Sequence, residues 1–358
     1  MSADGSQPVN GEKVHAFVGQ VVNDMAAAMS GVMTNLGHKL GFYRAMAGAG
    51  PISPKDLAQR TNTHERYVRE WLNNQAAGGY VTYHPQSRTY ELPAEHAAVL
   101  ADDGGAVFLA PGFDLISSLW LDEDKIAQAL RTGEGIGWHE HHHRLFFGTE
   151  AFFRPGYKAN LTETWIPALE GVEAKLRAGA RVADVGCGHG ASTIVMAEAY
   201  PNSTFVGSDY HDKSIEVARR RAAEAGVSDR VAFEVATAKT FSGDGYDLIC
   251  FMDCFHDLGD PLGAAKHARR VLADDGTVLM VEPFAGDRVE DNINPVGRMY
   301  YAASTGICTP NSLSQEVGLG LGAQAGEARL RAILAEAGFG RVRRAAETPF
   351  NLVIEARP

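Results

Sequence analysis

From Arg181 onward, short apolar segments alternate with longer segments of helical period, and this alternation limits the possible folds more than any other feature of the sequence. A strand, a helix and a second strand in succession form a parallel pair, because the helix carries the chain back to the edge where it started. The pattern therefore predicts a parallel sheet with helices on both faces. The expected strands are 181–185, 204–208, 231–235, 246–251 and 276–282, and the intervening helices include 214–225 and 261–272.

The end of the chain departs from this alternation. Two strand-like segments, 341–346 and 351–356, are separated by Glu347, Thr348 and Pro349, a sequence that favours a turn. We therefore expect a terminal hairpin that adds one antiparallel strand, which brings the sheet to about seven strands.

The stretch 53–92 has the pattern of a winged helix. Ser53 before a proline predicts a helix that ends near Arg60, and a second helix is expected from Thr63 to a pair of glycines. Strand-like alternation then follows at 80–83 and 89–92, on either side of a turn. Together with the alternation described above, this predicts an α/β protein with a Rossmann-like, mostly parallel seven-stranded sheet, preceded by an all-α and winged-helix domain.

Charge argues against a nucleic-acid partner for this winged helix. The chain has 33 lysines and arginines against 44 acidic residues, a formal net charge of −11, which repels polyanions. Glu65 and Glu70 lie on the helix that would enter a DNA groove. We therefore favour a structural or dimerising role over a DNA-binding role.

Residues 14–44 carry an apolar stripe at helical spacing, rich in Met and Ala, and two helices are expected there. The stripe is explained either by an ordinary core or by a subunit interface, since small and flexible side chains let helices from two chains intertwine. The second alternative predicts a homodimer formed through the N-terminal helices.

A glycine-rich turn follows the first predicted strand, in the order Asp184, Gly186, Gly188 and Gly190. Glycines between a strand and a helix allow a sharp turn and a close approach of backbone to a ligand. The next strand ends at Asp209, where an acid accepts hydrogen bonds from ribose hydroxyls. A dinucleotide also fits this pattern, but the carboxylate of Asp184 suits a cationic ligand such as a sulfonium better than a pyrophosphate.

These residues resemble those of the class I S-adenosylmethionine-dependent methyltransferases, and in particular small-molecule O-methyltransferases with an N-terminal winged-helix dimerisation domain, including actinobacterial members of uncertain substrate. Besides the glycine turn and Asp209, the motifs that carry the resemblance are 253–261 and 281–283. The resemblance implies S-adenosyl-L-methionine as cofactor, S-adenosyl-L-homocysteine as product and a small-molecule acceptor. We expect a disordered start at 1–12, a helical and winged-helix domain at 13–100, a helical linker and substrate cover at 101–176, and a methyltransferase domain at 177–358.

The resemblance also assigns cofactor contacts. Gly186 and Gly188 would flank the methionine part of the cofactor, and Asp209 would bind its ribose. The adenine position falls at Thr237 and Ala238, where the family commonly has an acid. Asp184, Gly190 and Asp253 complete the expected cofactor-binding set.

His256 is the candidate general base for a hydroxyl acceptor, because a neutral imidazole accepts a proton near pH 7. Asp257 or Glu282 could orient the ring and stabilise the imidazolium. The family has a second helper Glu where this sequence has Gln324. A helix-capping turn is the alternative explanation of the His256-Asp257 pair, and methylation would then proceed by proximity alone.

The acceptor pocket is predicted from aromatic and flexible side chains. Phe146 and Phe153 could line it or belong to the core. A long insertion at 286–324 contains Met299 and Tyr300 and is expected to cover the acceptor. The run of histidines from 139 to 143 suggests a metal site, but consecutive residues of one helix point in different directions, so no metal is expected.

Cellular context follows from composition. The four cysteines form no C-x-x-C pair, which fits a reducing compartment. The sequence has no basic segment followed by an apolar run at its start and no apolar stretch of membrane-spanning length. We therefore expect a cytoplasmic protein with no membrane partner. The alternative function is a winged-helix transcriptional regulator that uses the nucleoside pocket as a ligand sensor.

Overall fold

The computed structural model describes residues 9–358, and the chain divides into two compact units at Asp114 and Leu115. The first eight residues of the predicted disordered start lie outside the described part, whereas Gly11 and Glu12 already belong to the first helix. No helix between residues 9 and 358 combines the length and the apolar character needed to cross a bilayer.

The N-terminal unit has the helices and the hairpin of a winged helix. Its elements are α1 (Gly11–Lys39), α2 (Phe42–Met46), α3 (Pro54–Arg60), α4 (Glu65–Ala77), β1 (Thr82–His84), β2 (Thr89–Glu91) and α5 (Ala94–Leu100). Ser53 caps α3 as predicted, with its side chain accepting a hydrogen bond from the backbone N–H of Asp56. The start of α4 differs from the prediction, because His64 rather than Thr63 supplies the cap.

The apolar stripe of α1 packs only in part against its own unit. Tyr43 and Trp71 are buried beside α1, and Gly37 leaves room for the ring of Trp71 against the helix backbone. Much of the stripe is open to solvent instead, with exposed fractions of 53% for Val18 and 60% for Met25. Packing in an ordinary core therefore explains the end of α1 near Gly37, but it does not explain the exposed residues Val18 and Met25.

The C-terminal unit contains the predicted seven-stranded sheet. Its strands are β3 (Arg181–Val185), β4 (Thr204–Asp209), β5 (Val231–Val235), β6 (Tyr246–Met252), β7 (Leu272–Pro283), β8 (Arg341–Glu347) and β9 (Asn351–Arg357). They lie in the order β5-β4-β3-β6-β7-β9-β8, and β9 alone runs in the direction opposite to the other six strands. The Rossmann-like sheet with one antiparallel strand from a terminal hairpin is thus confirmed.

Helices cover both faces of this sheet. The helices that contact its strands include α9 (Val172–Ala178), α10 (Ala191–Ala199), α11 (Asp212–Glu224), α12 (Pro261–Val271) and α15 (Glu327–Glu336). The other helices of this part of the chain are α6 (Gly112–Leu121), whose first residues fall in the N-terminal unit, α7 (Glu123–Thr132), α8 (Arg144–Asn160), α13 (Pro295–Ala303) and α14 (Thr309–Leu313). Adjacent residues of β3 belong to different apolar clusters, Val182 to the one with Met196 and Ala183 to the one with Ala265. This alternation is what a strand buried on both faces requires.

Two predicted segments have a different local structure. The histidines at 139–143 do not share one helix, because a 3₁₀ turn at Trp138–Glu140 is followed by extended chain before α8 begins at Arg144. The insertion at 286–324 is largely helical, with α13 and α14 joined by a π-helical turn at Ser304–Cys308. The histidines of this run therefore differ in backbone conformation, and the insertion consists mainly of helices.

Candidate active site

The glycine turn lies at the carboxyl end of β3, where ligands bind in open parallel sheets. Gly186 has a φ of +73°, and a Cβ there would lie 2.8 Å from the Sγ of Cys254. Gly188 also has a positive φ, +52°, but a Cβ there would meet nothing within 4 Å. The turn therefore requires glycine for its conformation, and its middle residue faces open space beside the cavity described below.

Asp184 lies behind this turn rather than in the cavity. Its Oδ2 accepts hydrogen bonds of 2.6 Å from the hydroxyls of both Ser192 and Thr193, at the start of α10. Burial raises the pKa of Asp184 to about 6. Gly190 is the residue before α10 and does not line the cavity either. These two residues hold the strand and the helix in place around the turn.

Asp209 connects the end of β4 to the glycine turn. Its Oδ2 accepts a hydrogen bond of 3.0 Å from the backbone N–H of Gly188, and its Oδ1 accepts one of 2.9 Å from the N–H of His211. Burial raises the pKa of Asp209 above its ordinary value. The carboxylate lines the cavity, and each oxygen keeps a lone pair for a ligand.

The cavity has a volume of about 520 Å³. Acidic groups outnumber basic ones in its wall, which carries six carboxyl groups and one lysine. The six are Glu150, Asp209, Asp253, Asp257, Asp260 and Glu316, and the lysine is Lys239. Such a wall favours a cationic ligand over an anionic one.

Nine of the residues selected from the sequence line this cavity, and the other six do not. Those in its wall are Phe146, Phe153, Gly186, Gly188, Asp209, Thr237, Ala238, Asp253 and Asp257. Those outside it are Asp184, Gly190, His256, Glu282, Met299 and Tyr300. Met299 and Tyr300 instead pack in a small apolar cluster, where the Tyr300 hydroxyl donates a hydrogen bond of 2.9 Å to the carbonyl of Phe350.

Thr237 is held in a local turn of its own. Its hydroxyl lies 2.9 Å from that of Thr240 and accepts a hydrogen bond of 3.3 Å from the backbone N–H of Lys239. Both Thr237 and Ala238 face the cavity after β5. An acid is absent at this position, as the sequence shows.

Asp253 follows β6 in an unusual backbone conformation, with a φ of +50°. The Tyr157 hydroxyl donates a hydrogen bond of 2.9 Å to its Oδ2, and the Asn351 side chain donates one of 3.1 Å to its Oδ1. Burial, with a contribution from the charge of Glu282, raises the pKa of Asp253 to about 8. Non-glycine residues adopt this conformation at a cost, and such strain collects at functional sites.

His256 lies between two carboxylates at the carboxyl ends of β6 and β7. Its Nδ1 is 2.6 Å from the Oε2 of Glu282, and its Nε2 is 3.1 Å from the Oδ1 of Asp257. Burial alone would lower the pKa of His256, but the negative charges of Glu282 and Asp257 outweigh it and raise the pKa well above its ordinary value. The ring is buried behind the wall, and Asp257 is the member of this group that faces the cavity.

Several residues of the wall were not selected from the sequence. The backbone N–H of Trp138 lies 3.1 Å from both the hydroxyl of Tyr210 and the Oδ1 of Asn311, and all three residues line the cavity. Tyr210 could have been found, because it directly follows Asp209 at the end of a strand. Asn311 comes from the insertion, whose path no local pattern reveals.

Gln324, which the sequence analysis aligns with the family's helper Glu, donates a hydrogen bond of 3.2 Å from its amide to the carbonyl of Phe284. Its Oε1 is buried and has no hydrogen-bond partner among residues 9–358. Gln324 does not line the cavity. The side chain therefore fixes the chain after β7 without contributing charge.

Comparison with known families agrees with this geometry. Residues 28–102 match the Rv2258c-like winged HTH domain, and residues 176–338 match a methyltransferase domain. The chain thus contains one segment similar to a winged HTH domain and a second segment similar to a methyltransferase domain. The glycine turn, Asp209 and the His256 group all lie within the matched methyltransferase domain.

Individual methyltransferases resemble parts or all of the chain. It is 32% identical over 146 residues to the 27-O-demethylrifamycin SV methyltransferase of Amycolatopsis mediterranei, a match that covers 40% of this chain and 51% of that protein. The chain thus spans about half the length of the curated relatives it matches. The structure of the mitomycin 7-O-methyltransferase MmcR has a TM-score of 0.65 at 20% identity, with 97% of this chain and 100% of that chain covered. Human N-acetylserotonin methyltransferase, solved with S-adenosylmethionine, has a TM-score of 0.64 at 16% identity over 100% of this chain and 99% of that chain.

Proposed function

We propose that the protein transfers a methyl group from S-adenosylmethionine to a small, apolar acceptor through a hydroxyl oxygen. One observation carries this proposal: a single cavity joins the glycine turn and Asp209 to Asp257, the pocket-facing member of the His256 group. The names of the rifamycin and mitomycin enzymes place their methyl groups on oxygen, which supports an oxygen acceptor here.

The residues present fit S-adenosylmethionine. Gly188 leaves open space for a ligand against the backbone, and Asp209 offers carboxylate lone pairs to ribose hydroxyls. Thr237 and Ala238 would hold the adenine, where the Thr237 hydroxyl is the polar group. The bound cofactor supplies a methyl group on a positively charged sulfur, and the acidic wall stabilises that charge.

The acceptor would occupy the aromatic part of the cavity. The apolar part of the cavity wall is formed by Trp138, in the 3₁₀ turn before α8, and by Phe146 and Phe153, on α8 itself. An apolar wall with few polar groups is typical of sites for small organic ligands, and it also keeps water away from a displacement reaction. The aromatic part therefore favours a flat, apolar acceptor.

Asp257, His256 and Glu282 would act on the hydroxyl of the acceptor as one group. Glu282 accepts hydrogen bonds from the backbone N–H groups of Phe255 and His256, at 2.9 and 3.2 Å, and so fixes the turn that carries the ring. The charges around His256 favour the imidazolium, whereas the sequence hypothesis requires a neutral ring as base. The support for a catalytic role of His256 is its contact with Asp257, which reaches the cavity.

A homodimer formed through α1 belongs to the same proposal. Val18, Met25 and Met29 are exposed on this helix of 29 residues, and Met29 also lines an apolar groove with Tyr67 and Trp71. A second copy of the chain offers the same helix, as a two-fold interface requires. The regulator alternative has weaker support, because Arg66 and Arg69 on α4 form ion pairs with glutamates of the same helix.

The direct test is formation of S-adenosylhomocysteine by the purified protein in the presence of hydroxyl-bearing aromatic compounds. We expect product with at least one phenolic acceptor, and a methylated oxygen in its mass spectrum. An Asp257→Ala variant should lose turnover, while His142→Ala, which alters a side chain outside the cavity wall, should keep it. Methylation of nitrogen or carbon alone would contradict the choice of oxygen, and the absence of any turnover with bound cofactor would contradict the activity.

A further inference from the structure

A buried histidine with an unpaired ring nitrogen lies in the glycine turn. His189 comes between Gly188 and Gly190, and it is only 6% exposed although it lines the cavity. Its Nδ1 is buried and has no hydrogen-bond partner among residues 9–358. Buried polar atoms are almost always paired, so an unpaired one that borders a cavity is available to a ligand. The methyl transfer described above leaves this side chain without a role.

The hydroxyl of Thr149, on α8, is a second polar group of this kind. Thr149 also lines the cavity, and its Oγ1 is buried with no hydrogen-bond partner in the described chain. The α8 helix packs directly on His189, because the ring centroid of Phe147 lies 5.1 Å from that of the imidazole. Residues 147–150 span about one helical turn, which therefore lies beside His189. We call the part of the cavity wall formed by Thr149, Glu150 and His189 the α8 corner.

The surroundings of the α8 corner carry an excess of positive charge. Two arginines surround its one carboxylate: guanidinium nitrogens of Arg154 and Arg221 lie 3.0 and 2.8 Å from the Oε1 of Glu150. The side chain of Glu150 is only 7% exposed, so water and salt screen this group little. Two positive charges against one negative charge leave one positive charge in excess. The α8 corner therefore favours an anionic part of a ligand, whereas the wall as a whole favours a cation.

The ring of His189 is neutral near pH 7. Burial, with a smaller contribution from the positive charge of Arg221, lowers the pKa of His189 to about 4. A neutral imidazole has one N–H donor and one acceptor nitrogen, and the hydrogen bonds of the ring decide which nitrogen carries the proton. An anion beside Nδ1 therefore selects the form that has its proton on Nδ1. The ring then donates a hydrogen bond without adding a charge to the cavity.

We propose that His189 is a specificity-determining residue that donates a hydrogen bond from Nδ1 to a carboxylate of the bound nucleoside, with the Thr149 hydroxyl as a second donor. This inference rests on the proposed function, because S-adenosylmethionine and S-adenosylhomocysteine each carry a carboxylate on the amino-acid part that the glycine turn is expected to flank. Binding would pair two buried atoms that otherwise lack a partner in the described chain. The α8 corner therefore favours nucleosides that have this carboxylate over nucleosides that lack it.

The amino group of the same ligand fits the α8 corner less well. An ammonium group beside Nδ1 would add a further positive charge next to the pair of arginines on Glu150, and like charges repel. Elsewhere the wall offers carboxylates without such neighbours, among them Asp253, whose hydrogen-bond donors are the neutral side chains of Tyr157 and Asn351. No local pattern in the sequence predicts the role of His189, because the packing of α8 on the glycine turn is a contact between distant parts of the chain.

The test is isothermal titration calorimetry of the full-length protein with S-adenosylhomocysteine and with its decarboxylated analogue, which keeps the amino group. We expect the wild type to bind S-adenosylhomocysteine ~10-fold or more tightly than the analogue. His189→Phe keeps a ring against Phe147 but has no donor, so it should bind S-adenosylhomocysteine ~10-fold more weakly and the analogue within about threefold of the wild type. His189→Asn keeps an amide nitrogen close to the place of Nδ1 and should retain the preference for the carboxylate.

Two further variants complete the test. Thr149→Val, which removes only the hydroxyl, should weaken S-adenosylhomocysteine by ~3-fold or more and leave the analogue unchanged. His142→Phe is the matched control and should change neither dissociation constant, because His142 does not line the cavity. A wild type that binds both ligands equally, or an equal loss of both in His189→Phe, would overturn the carboxylate contact. If the preference is found and no acceptor is methylated, only the proposed function is refuted; if methyl transfer proceeds without the preference, only the role of His189 is refuted.

Discussion

Replacing Asp209 is expected to weaken cofactor binding more than replacing any neighbouring acid. The carboxylate accepts hydrogen bonds from the backbone of Gly188 and His211 and still faces the cavity. A hydrogen bond to a charged group contributes about 1.5–3 kcal/mol, and leaving the N–H of Gly188 without a partner costs about 1–3 kcal/mol more. Asp209→Ala should therefore raise the dissociation constant of S-adenosylmethionine by ~10²-fold or more.

Isothermal titration calorimetry of the variant against the wild type measures this change. Asp212→Ala is the matched control, because Asp212 is an exposed acid three residues further along the chain and does not line the cavity. Thermal unfolding of both variants checks that the fold is retained. A change of less than about threefold for Asp209→Ala, in a folded variant, would refute the assignment of Asp209 to the ribose.

Three further predictions test the rest of the account. His256→Ala should reduce turnover on a hydroxyl acceptor by ~10²-fold while the affinity for S-adenosylmethionine, measured by calorimetry, stays within about threefold, because the ring does not line the cavity; equal losses in both would contradict its separation from the cofactor. Met25→Glu should convert a dimer to a monomer in light scattering without changing the circular dichroism spectrum, because Met25 is 60% exposed within its own chain; an unchanged dimer would exclude this face of α1. Asp184 has a pKa raised to about 6 by burial, so the folded protein binds its proton more tightly than the unfolded chain and loses stability as pH rises from about 4 to about 6. The free energy of unfolding, measured by chemical denaturation, should fall by roughly 3 kcal/mol over this pH range in the wild type and should not fall in Asp184→Asn. The same pH dependence of this free energy in both proteins would contradict the prediction.

The sheet was predictable because its physical determinants are local. A strand such as β6, whose residues 248–252 are all buried, reads as a continuous apolar run, and the glycines after β3 are required by the turn itself. A proline-containing turn joins β8 and β9, and a serine cap comes directly before α3. Each of these signals lies within a few residues of the element that it defines.

The arrangement of the site was less predictable because it depends on contacts between distant parts of the chain. The sequence indicates that His256 and Glu282 are near one another, but not that two carboxylates enclose the ring and change its charge. Tyr300 has the composition of a pocket residue and packs in a cluster instead, because its hydroxyl finds a backbone carbonyl 50 residues away. Cys308 meets the His256 turn only through the path of the insertion.

The central claim is that the cavity at the end of β3 binds S-adenosylmethionine. Calorimetric titration of the purified protein with S-adenosylmethionine, S-adenosylhomocysteine and NAD tests it most directly. We predict saturable binding of the first two compounds, at about one per chain, and no detectable heat of binding for NAD. Binding of NAD with no binding of either sulfur nucleoside would contradict the account.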